Sequence, residues 1–194
     1  MGDSVTRYGK EHKEATRRRI IESASRRIKQ SGVDGSGIAV LMSDAGLTNG
    51  AFYAHFTSKD DLVAKVVGDE LQAQAQNFTT LPPGRAGLVQ FVSEYLTPEH
   101  RDNPSVGCPS AALLDEIARC TDETKQVYTE GARAIIGEIA GRLSPGDPKA
   151  ARGRAIGLYT MMVGTLQLSR ALADQELSLE VLARGIENAN AFLD

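Results

Sequence analysis

Few side chains in this chain of 194 residues have a setting that favours reactivity, and one cysteine is the clearest of them. In Gly107-Cys108-Pro109-Ser110, proline favours the first turn of a helix, so the thiol of Cys108 is expected at the N-cap of the helix that follows. A helix N-terminus stabilises a thiolate, which makes Cys108 a candidate sensor of oxidants or electrophiles. The alternative is a small buried residue without a redox role.

A second kind of chemistry is indicated by residues 38–62. Apolar residues first recur at three- and four-residue spacing, which predicts a short helix with one apolar face: Ile38, Leu41, Met42 and Ala45. Gly46 then supplies a residue suited to a left-handed turn, and a second helical segment follows. In a helix-turn-helix unit the second helix normally lies in the major groove of DNA. The pattern therefore predicts a DNA-binding unit.

The stretch from Gly46 to Val63, GLTNGAFYAHFTSKDDLV in one-letter code, resembles the amino-terminal domain of the tetracycline-repressor (TetR/AcrR) family. There the corresponding residues read approximately GVSKGTFYRYFPSKEALL, and the resemblance extends from Ser36 to Val67. It implies a helical homodimer that binds palindromic operator DNA. It also implies release from the operator by a small ligand in the carboxy-terminal domain. In some relatives, a cysteine in a similar Gly-Cys segment senses oxidants or electrophiles.

The resemblance further implies which residues contact the operator: Thr48, Asn49, Gly50, Ala51, Tyr53, His55 and Lys59. Thr48 can cap the recognition helix and contact a phosphate, and Asn49 can pair with adenine N6 and N7. The small residues at 50 and 51 allow close approach to the bases. The last three of the set are expected to bind phosphates. Asn49 and Ala51 stand where the family usually has lysine and threonine, whereas Phe52 and Phe56, four residues apart, are expected to pack in the core.

Charge is segregated along the chain. Residues 1–59 hold ten Lys and Arg against six Asp and Glu, a net charge of +4, and the remainder carries −7. A first helix expected at about 11–30 has cations on its outer face: Arg17, Arg18, Arg19, Arg26, Arg27 and Lys29. Such a basic first third fits a DNA-binding head beside an acidic regulatory body. The alternatives are chance variation and a solvated face paired with Glu14 and Glu22.

The rest of the chain predicts an all-α fold of about nine helices, because alternating β-branched runs are absent. Ser58 followed by Asp61 predicts a capping box, so we divide the chain into a helix-turn-helix domain at 1–57 and an effector-binding and dimerisation domain at 58–194. Later helices are expected at about 58–78, 86–96, 109–119, 121–143, 148–174 and 178–192, with a break at 98–107. The helix at 148–174 is apolar nearly all round, so it must be covered on two sides, by its own domain and by a partner. A second copy of the chain is the simplest partner, which predicts a homodimer seam formed by this helix and the last one.

Aromatic and sulfur-containing residues of the body are candidates for an effector pocket: Phe91, Tyr95, Tyr128, Tyr159, Met162 and, as a polar contact, Gln167. The alternative for each is ordinary core packing. The three histidines, His12, His55 and His100, have no metal-ligand spacing with the cysteines, so no metal is expected. Phosphate loops, nucleophile elbows and paired carboxylates are not found, so neither a cofactor nor an enzymatic activity is expected.

The longest uncharged run, Ala155 to Ser169, is too short to cross a bilayer, and the polar start does not resemble a signal peptide. The sequence thus predicts a cytoplasmic transcription regulator without membrane contact. We expect a repressor that a small ligand or a thiol-reactive signal releases from double-stranded operator DNA. The alternatives are a ligand-independent activator or architectural DNA-binding protein and, outside DNA binding, a helical adaptor or enzyme.

Overall fold

The backbone of residues 3–193 and the side chains from Lys10 to Leu193 are described by the computed structural model. Helices make up most of this part of the chain: α1 (Asp3–Ser31), α2 (Ile38–Asp44), α3 (Lys59–Asn77), α4 (Gly84–Tyr95), α5 (Pro98–Asp102), α6 (Pro109–Ile117), α7 (Asp122–Leu143), α8 (Pro148–Ala171) and α9 (Gln175–Ala191). Three 3-10 helical segments lie at Asn49–Ala54, Phe78–Thr80 and Pro104–Val106. Residues 3–193 contain no strand, which confirms the all-α prediction.

Several predicted helix limits are wrong, and local hydrogen bonds explain two of them. α1 begins at Asp3 instead of residue 11, while residues 1, 2 and 194 lie outside the described part. α5 lies within the expected break because the Thr97 hydroxyl accepts a hydrogen bond from the His100 N–H (3.1 Å) and Pro98 opens the first turn. α9 begins at Gln175 because Asp174 accepts hydrogen bonds from the two backbone N–H groups of residues 176 and 177.

The head consists of α1, α2 and the 3-10 segment Asn49–Ala54. One face of α1 is completely buried at Ile20, Ala24 and Ile28, and it packs in one core with Leu41 and Phe52. Gly46 has φ +67°, the left-handed conformation expected for the turn. The helix-turn-helix order predicted from the apolar spacing is therefore present.

The body is a layered helical bundle in which α3 packs on α7, α7 on α8, and α8 on α9. α3 also contacts α1, so it joins head and body. At its start the Ser58 hydroxyl accepts a hydrogen bond from the Asp61 N–H (3.1 Å), as predicted, whereas the Asp61 carboxylate accepts from Thr57 N–H (3.0 Å) and not from Ser58. No helix in the described part of the chain has both the length and the apolar character needed to span a membrane.

One face of α8 remains uncovered within the subunit. Leu158, Met162 and Leu166 are completely buried, but Ile156 and Leu168 on the same helix are 39% and 54% exposed. α9 and its end add further exposed apolar side chains at Leu179 and Phe192. This face has the character that the sequence predicted for a dimer seam.

Candidate nucleic-acid interface and adjoining cavity

In the segment after the turn, two aromatic side chains are buried and the polar side chains face solvent. Phe52 and Phe56 are 0% and 2% exposed, with ring centroids 5.6 Å apart, as their spacing predicted. Thr48, Asn49 and Gly50 are exposed on the other side, and Tyr53 is 69% exposed. Two aromatic rings thus fix the position of a short segment whose remaining side chains face solvent.

The remaining predicted contact residues are partly exposed: Ala51, His55 and Lys59. The segment itself differs from the expected α-helix, because Asn49–Ala54 is a 3-10 helix of six residues. Thr48 forms no side-chain cap; its carbonyl accepts from the Ala51 N–H (3.1 Å). The expected capping role of its hydroxyl is therefore wrong, and the hydroxyl is not used within the turn.

Basic residues of α1 lie beside this segment. The Arg17 guanidinium stacks over the Phe56 ring, 4.6 Å from its centroid. Burial lowers the pKa of His55, and the positive charges of Lys13 and Arg17 lower it further. The Nδ1 of His55 has no hydrogen-bond partner among the described residues. Lys13 was not singled out from the sequence, since only its distance from His55 in the fold identifies it.

Two other cations of α1 serve internal contacts instead. Arg27 binds Asp44 of α2 through two hydrogen bonds, Nε to Oδ2 (2.6 Å) and Nη2 to Oδ1 (3.0 Å). Lys29 is 5% exposed, and its Nζ donates to Glu70 Oε2 of α3 (2.7 Å) and to the Gly107 carbonyl (3.0 Å). The sequence expectation that these side chains lie on an outer face is wrong for Lys29.

A cavity of about 580 Å³ lies in the body between α3, α4, α5 and the segment 103–109. Two predicted effector residues, Phe91 and Tyr95, line it together with Cys108. Glu70, whose carboxylate binds the buried lysine of α1, also lines it. A molecule in this cavity would contact the junction between head and body.

The other predicted effector residues are not among those that line this cavity. Three of them converge on Ser110: the Tyr128 hydroxyl donates to Ser110 Oγ (3.0 Å), the Tyr159 hydroxyl lies 2.8 Å from the same oxygen, and Gln167 Nε2 donates to the Ser110 carbonyl (3.4 Å). Met162 is completely buried in the core. The chemical type of these side chains made them candidates, but it could not separate cavity from core.

Cys108 is the N-cap residue of α6 with Pro109 at the first position, as predicted. Its side chain is buried and the Sγ donates to Gln74 Oε1 (3.2 Å). The Cys108 N–H donates to His100 Nε2 (3.0 Å), and Nδ1 of the same ring donates to the Tyr95 carbonyl (2.8 Å). These two bonds require a neutral imidazole, and burial lowers the pKa of His100 accordingly.

A fixed helix-turn-helix head beside basic side chains, joined to an α-helical body with a cavity, defines a DNA-binding regulator of the helix-turn-helix class. Residues 20–66 match the family profile described as bacterial regulatory proteins, tetR family. Residues 20–66 therefore form a TetR-family helix-turn-helix domain, and together with the relatives below this match supports a transcription regulator of the TetR/AcrR family.

Individual relatives agree with this assignment. The HTH-type transcriptional repressor NemR of Escherichia coli K12 is 22% identical over 136 residues, 68% of either chain. The HTH-type transcriptional regulator AcrR of Shigella flexneri is 34% identical over 62 residues, 32% of this chain and 29% of its own.

Solved structures show the same fold. The reduced form of E. coli NemR superposes with a TM-score of 0.77 at 20% identity, over 90% of this chain and 95% of NemR. A TetR-family regulator from Agrobacterium tumefaciens gives 0.75 at 19% identity, over 91% and 98%.

Proposed function

We propose that this chain is a homodimeric repressor, without catalytic activity, that binds palindromic operator DNA in the cytoplasm and dissociates when an effector occupies the cavity. The observation that carries the proposal is the solvent-facing segment Thr48–Gly50, held in place by Phe52 and Phe56 beside Lys13 and Arg17. Residues 1–57 act as the DNA-binding domain and residues 58–194 as the effector and dimerisation domain.

The DNA contacts are assigned by side-chain chemistry. Asn49 reads adenine through N6 and N7, while Gly50 and Ala51 allow the segment to approach the bases. Phosphates are bound by Thr48, Tyr53, His55 and Lys59, with Lys13 and Arg17 adding positive charge from α1. In the homodimer the two segments enter successive major grooves about 34–36 Å apart.

The second subunit covers the exposed apolar face of α8 and α9. Ile156 and Leu168 contribute to it from α8, and Phe192 contributes from the end of α9. Burying such side chains stabilises association, because each removes apolar surface from water. The partners of the chain are then operator DNA, a second copy and a small effector.

Effector binding is coupled to the head through Lys29. Its two acceptors, Glu70 and the Gly107 carbonyl, belong to residues that line the cavity. A ligand that moves either acceptor changes how α1 is held and thereby changes the separation of the two DNA-reading segments. The DNA-free arrangement is favoured because the ligand binds it more tightly.

The operator is tested by selecting bound sequences from random duplex DNA. We expect an inverted repeat whose half-sites are one helical turn apart, with an adenine that loses its preference in Asn49→Ala. Gln126→Ala, an exposed change on α7, is the matched control and leaves the selected sequence unchanged. Selection of no sequence, or the same adenine preference in both variants, would contradict the proposal.

A thiol-reactive signal is tested separately at Cys108. Peroxide or an electrophilic maleimide is expected to release the wild-type chain from the selected operator, and Cys108→Ser is expected to remain bound. Cys120→Ser is the control because Cys120 does not line the cavity. Release of Cys108→Ser at the wild-type reagent concentration would exclude this cysteine as the sensor while leaving DNA binding intact.

A further inference from the structure

We propose that the cavity between α3, α4, α5 and segment 103–109 selects a planar, amino-substituted aromatic cation, whose ring lies on a row of aromatic side chains and whose charge faces Glu94 and Glu99. The inference rests on the proposed function, because it names the effector class of the same cavity. It follows from three features of the lining: its rings, its charges and one hydroxyl.

The rings form a continuous row. Successive centroids are 4.6 Å apart from Phe78 to Phe91, 5.8 Å from Phe91 to Tyr95, and 4.6 Å from Tyr95 to His100. All four side chains belong to residues that line the cavity. Phe78 at one end of the row is completely buried and has the Arg142 guanidinium over its ring, so the rings that a ligand can meet are those of Phe91, Tyr95 and His100. Such a surface favours a flat aromatic body, and the negative faces of Phe91 and Tyr95 favour a positive charge on it.

The charges in the lining have one sign. Its residues include Glu70, Glu94 and Glu99 but neither lysine nor arginine. Lys29 balances the first carboxylate, whereas the other two side chains are exposed and take part in no ion pair of the described side chains. Gln90 Nε2 donates to one oxygen of Glu94 (2.7 Å), which leaves the second oxygen available. A cation therefore meets opposite charge, and an anion would lose hydration without compensation.

The hydroxyl is that of Tyr95, which is 5% exposed and has no hydrogen-bond partner among the described residues. The thiol of Cys108, which lines the same cavity, donates its hydrogen to Gln74 instead. Burial raises the pKa of Tyr95 well above its usual value, so the hydroxyl stays protonated. A buried hydroxyl normally has a partner, and a ligand amino group can supply one by donating to its oxygen.

Three probes of nearly equal shape test the role of charge: 9-aminoacridine, acridine and acridine-9-carboxylate, which are cationic, neutral and anionic at neutral pH. Their dissociation constants are measured by fluorescence titration of the whole chain. We expect the cation to bind about 3- to 10-fold more tightly than the neutral ring and the anion to bind most weakly. This factor is what the attraction between the probe and a carboxylate about 6 Å away implies in a partly hydrated site.

Variants locate the probe. Changing Glu94→Gln together with Glu99→Gln is expected to remove the preference for the cation, while Glu123→Gln, an exposed change on α7, keeps it. Phe91→Leu is expected to weaken the cation and the neutral ring alike, because both lose the aromatic row. Operator binding without probe remains at the wild-type level in these variants.

The inference is wrong if cation and neutral ring bind equally, if the preference survives the double substitution, or if none of the three probes binds. The proposed function fails on a different result: the wild-type chain selects no operator sequence, whether or not it binds the probes. If the operator is bound and the charge preference is absent, only the effector class is excluded.

Discussion

Replacing Lys29 by methionine removes the buried cation that joins head and body but keeps a side chain of similar length. The lysine side chain is 3% exposed and its partner Glu70 is 30% exposed. The substitution breaks two hydrogen bonds, one to Glu70 Oε2 and one to the Gly107 carbonyl. The methionine fills the same space with apolar atoms, so the change tests the charge and its bonds more than the packing.

The size of the effect follows from the exposure of the partners. Breaking a fully buried ion pair costs about 3–5 kcal/mol, because the remaining charge is left uncompensated. Here water reaches Glu70, and the Ser25 hydroxyl still donates to its other oxygen, so the cost is smaller. We expect the free energy of unfolding to fall by about 2 kcal/mol, which corresponds to a Tm lower by about 4–8 °C for a chain of this length.

The assay is urea unfolding followed by circular dichroism, with Lys65→Met as the control because Lys65 is exposed on α3. The control is expected to change stability by less than about 0.5 kcal/mol. A double-mutant cycle with Glu70→Gln should give a coupling of at least about 1 kcal/mol. Equal stability of Lys29→Met and Lys65→Met, or additive effects in the cycle, would refute the account of this bridge.

Three further predictions test other parts of the chain. Lys59→Ala is expected to weaken operator binding and to reduce the slope of log K against log salt by about 0.9 for each lost phosphate contact; an unchanged slope removes Lys59 from the contact set. In α7, Gly131→Ala is expected to destabilise the fold by about 1–3 kcal/mol, because its Cβ would lie 2.5 Å from the Cβ of Leu71. Gly137→Ala on the same helix meets open space and is expected to stabilise the fold by about 0.5–1 kcal/mol. Denaturant midpoints of the two variants that shift in the same direction would contradict this. Because burial lowers the pKa of His100, the unfolded chain takes up a proton that the folded chain does not, so stability is full above about pH 6.5 and falls as the pH drops below it. In His100→Gln, thermal unfolding between about pH 7.5 and about pH 5.5 should show a smaller loss, and an identical loss would exclude this histidine as a cause.

The sequence predicted the head more accurately than the body, for physical reasons. The apolar spacing of α2, the turn at Gly46 and the burial of Phe52 and Phe56 all follow from interactions within about 20 residues. The 3-10 geometry of Asn49–Ala54 did not follow, because spacing patterns do not distinguish a short 3-10 segment from one and a half turns of α-helix.

The cavity depended on contacts between distant residues. The Cys108 N-cap was predictable from Pro109 alone, but its link to His100 requires the short helix α5, which the sequence suggested as a break. Tyr128 and Tyr159 look equivalent to Tyr95 in the sequence, yet both meet Ser110 instead of lining the cavity. Only the packing of α6 against α7 and α8 decides which tyrosine hydroxyls already have a hydrogen-bond partner.

The Lys29 bridge also limits how regulation can work in the proposed repressor. Effectors typically change the affinity of a second site by about 1–3 kcal/mol, which is the range expected for breaking this bridge alone. A ligand in contact with Glu70 and Gly107 therefore needs no long pathway to reach the head, because these two lining residues also hold the lysine. The coupling must be reciprocal, so operator DNA should weaken binding of the cationic probe by the same factor by which the probe weakens operator binding. If the weakening of operator binding keeps growing with probe concentration and never levels off, the probe excludes DNA directly and does not act through the cavity, because an allosteric factor saturates.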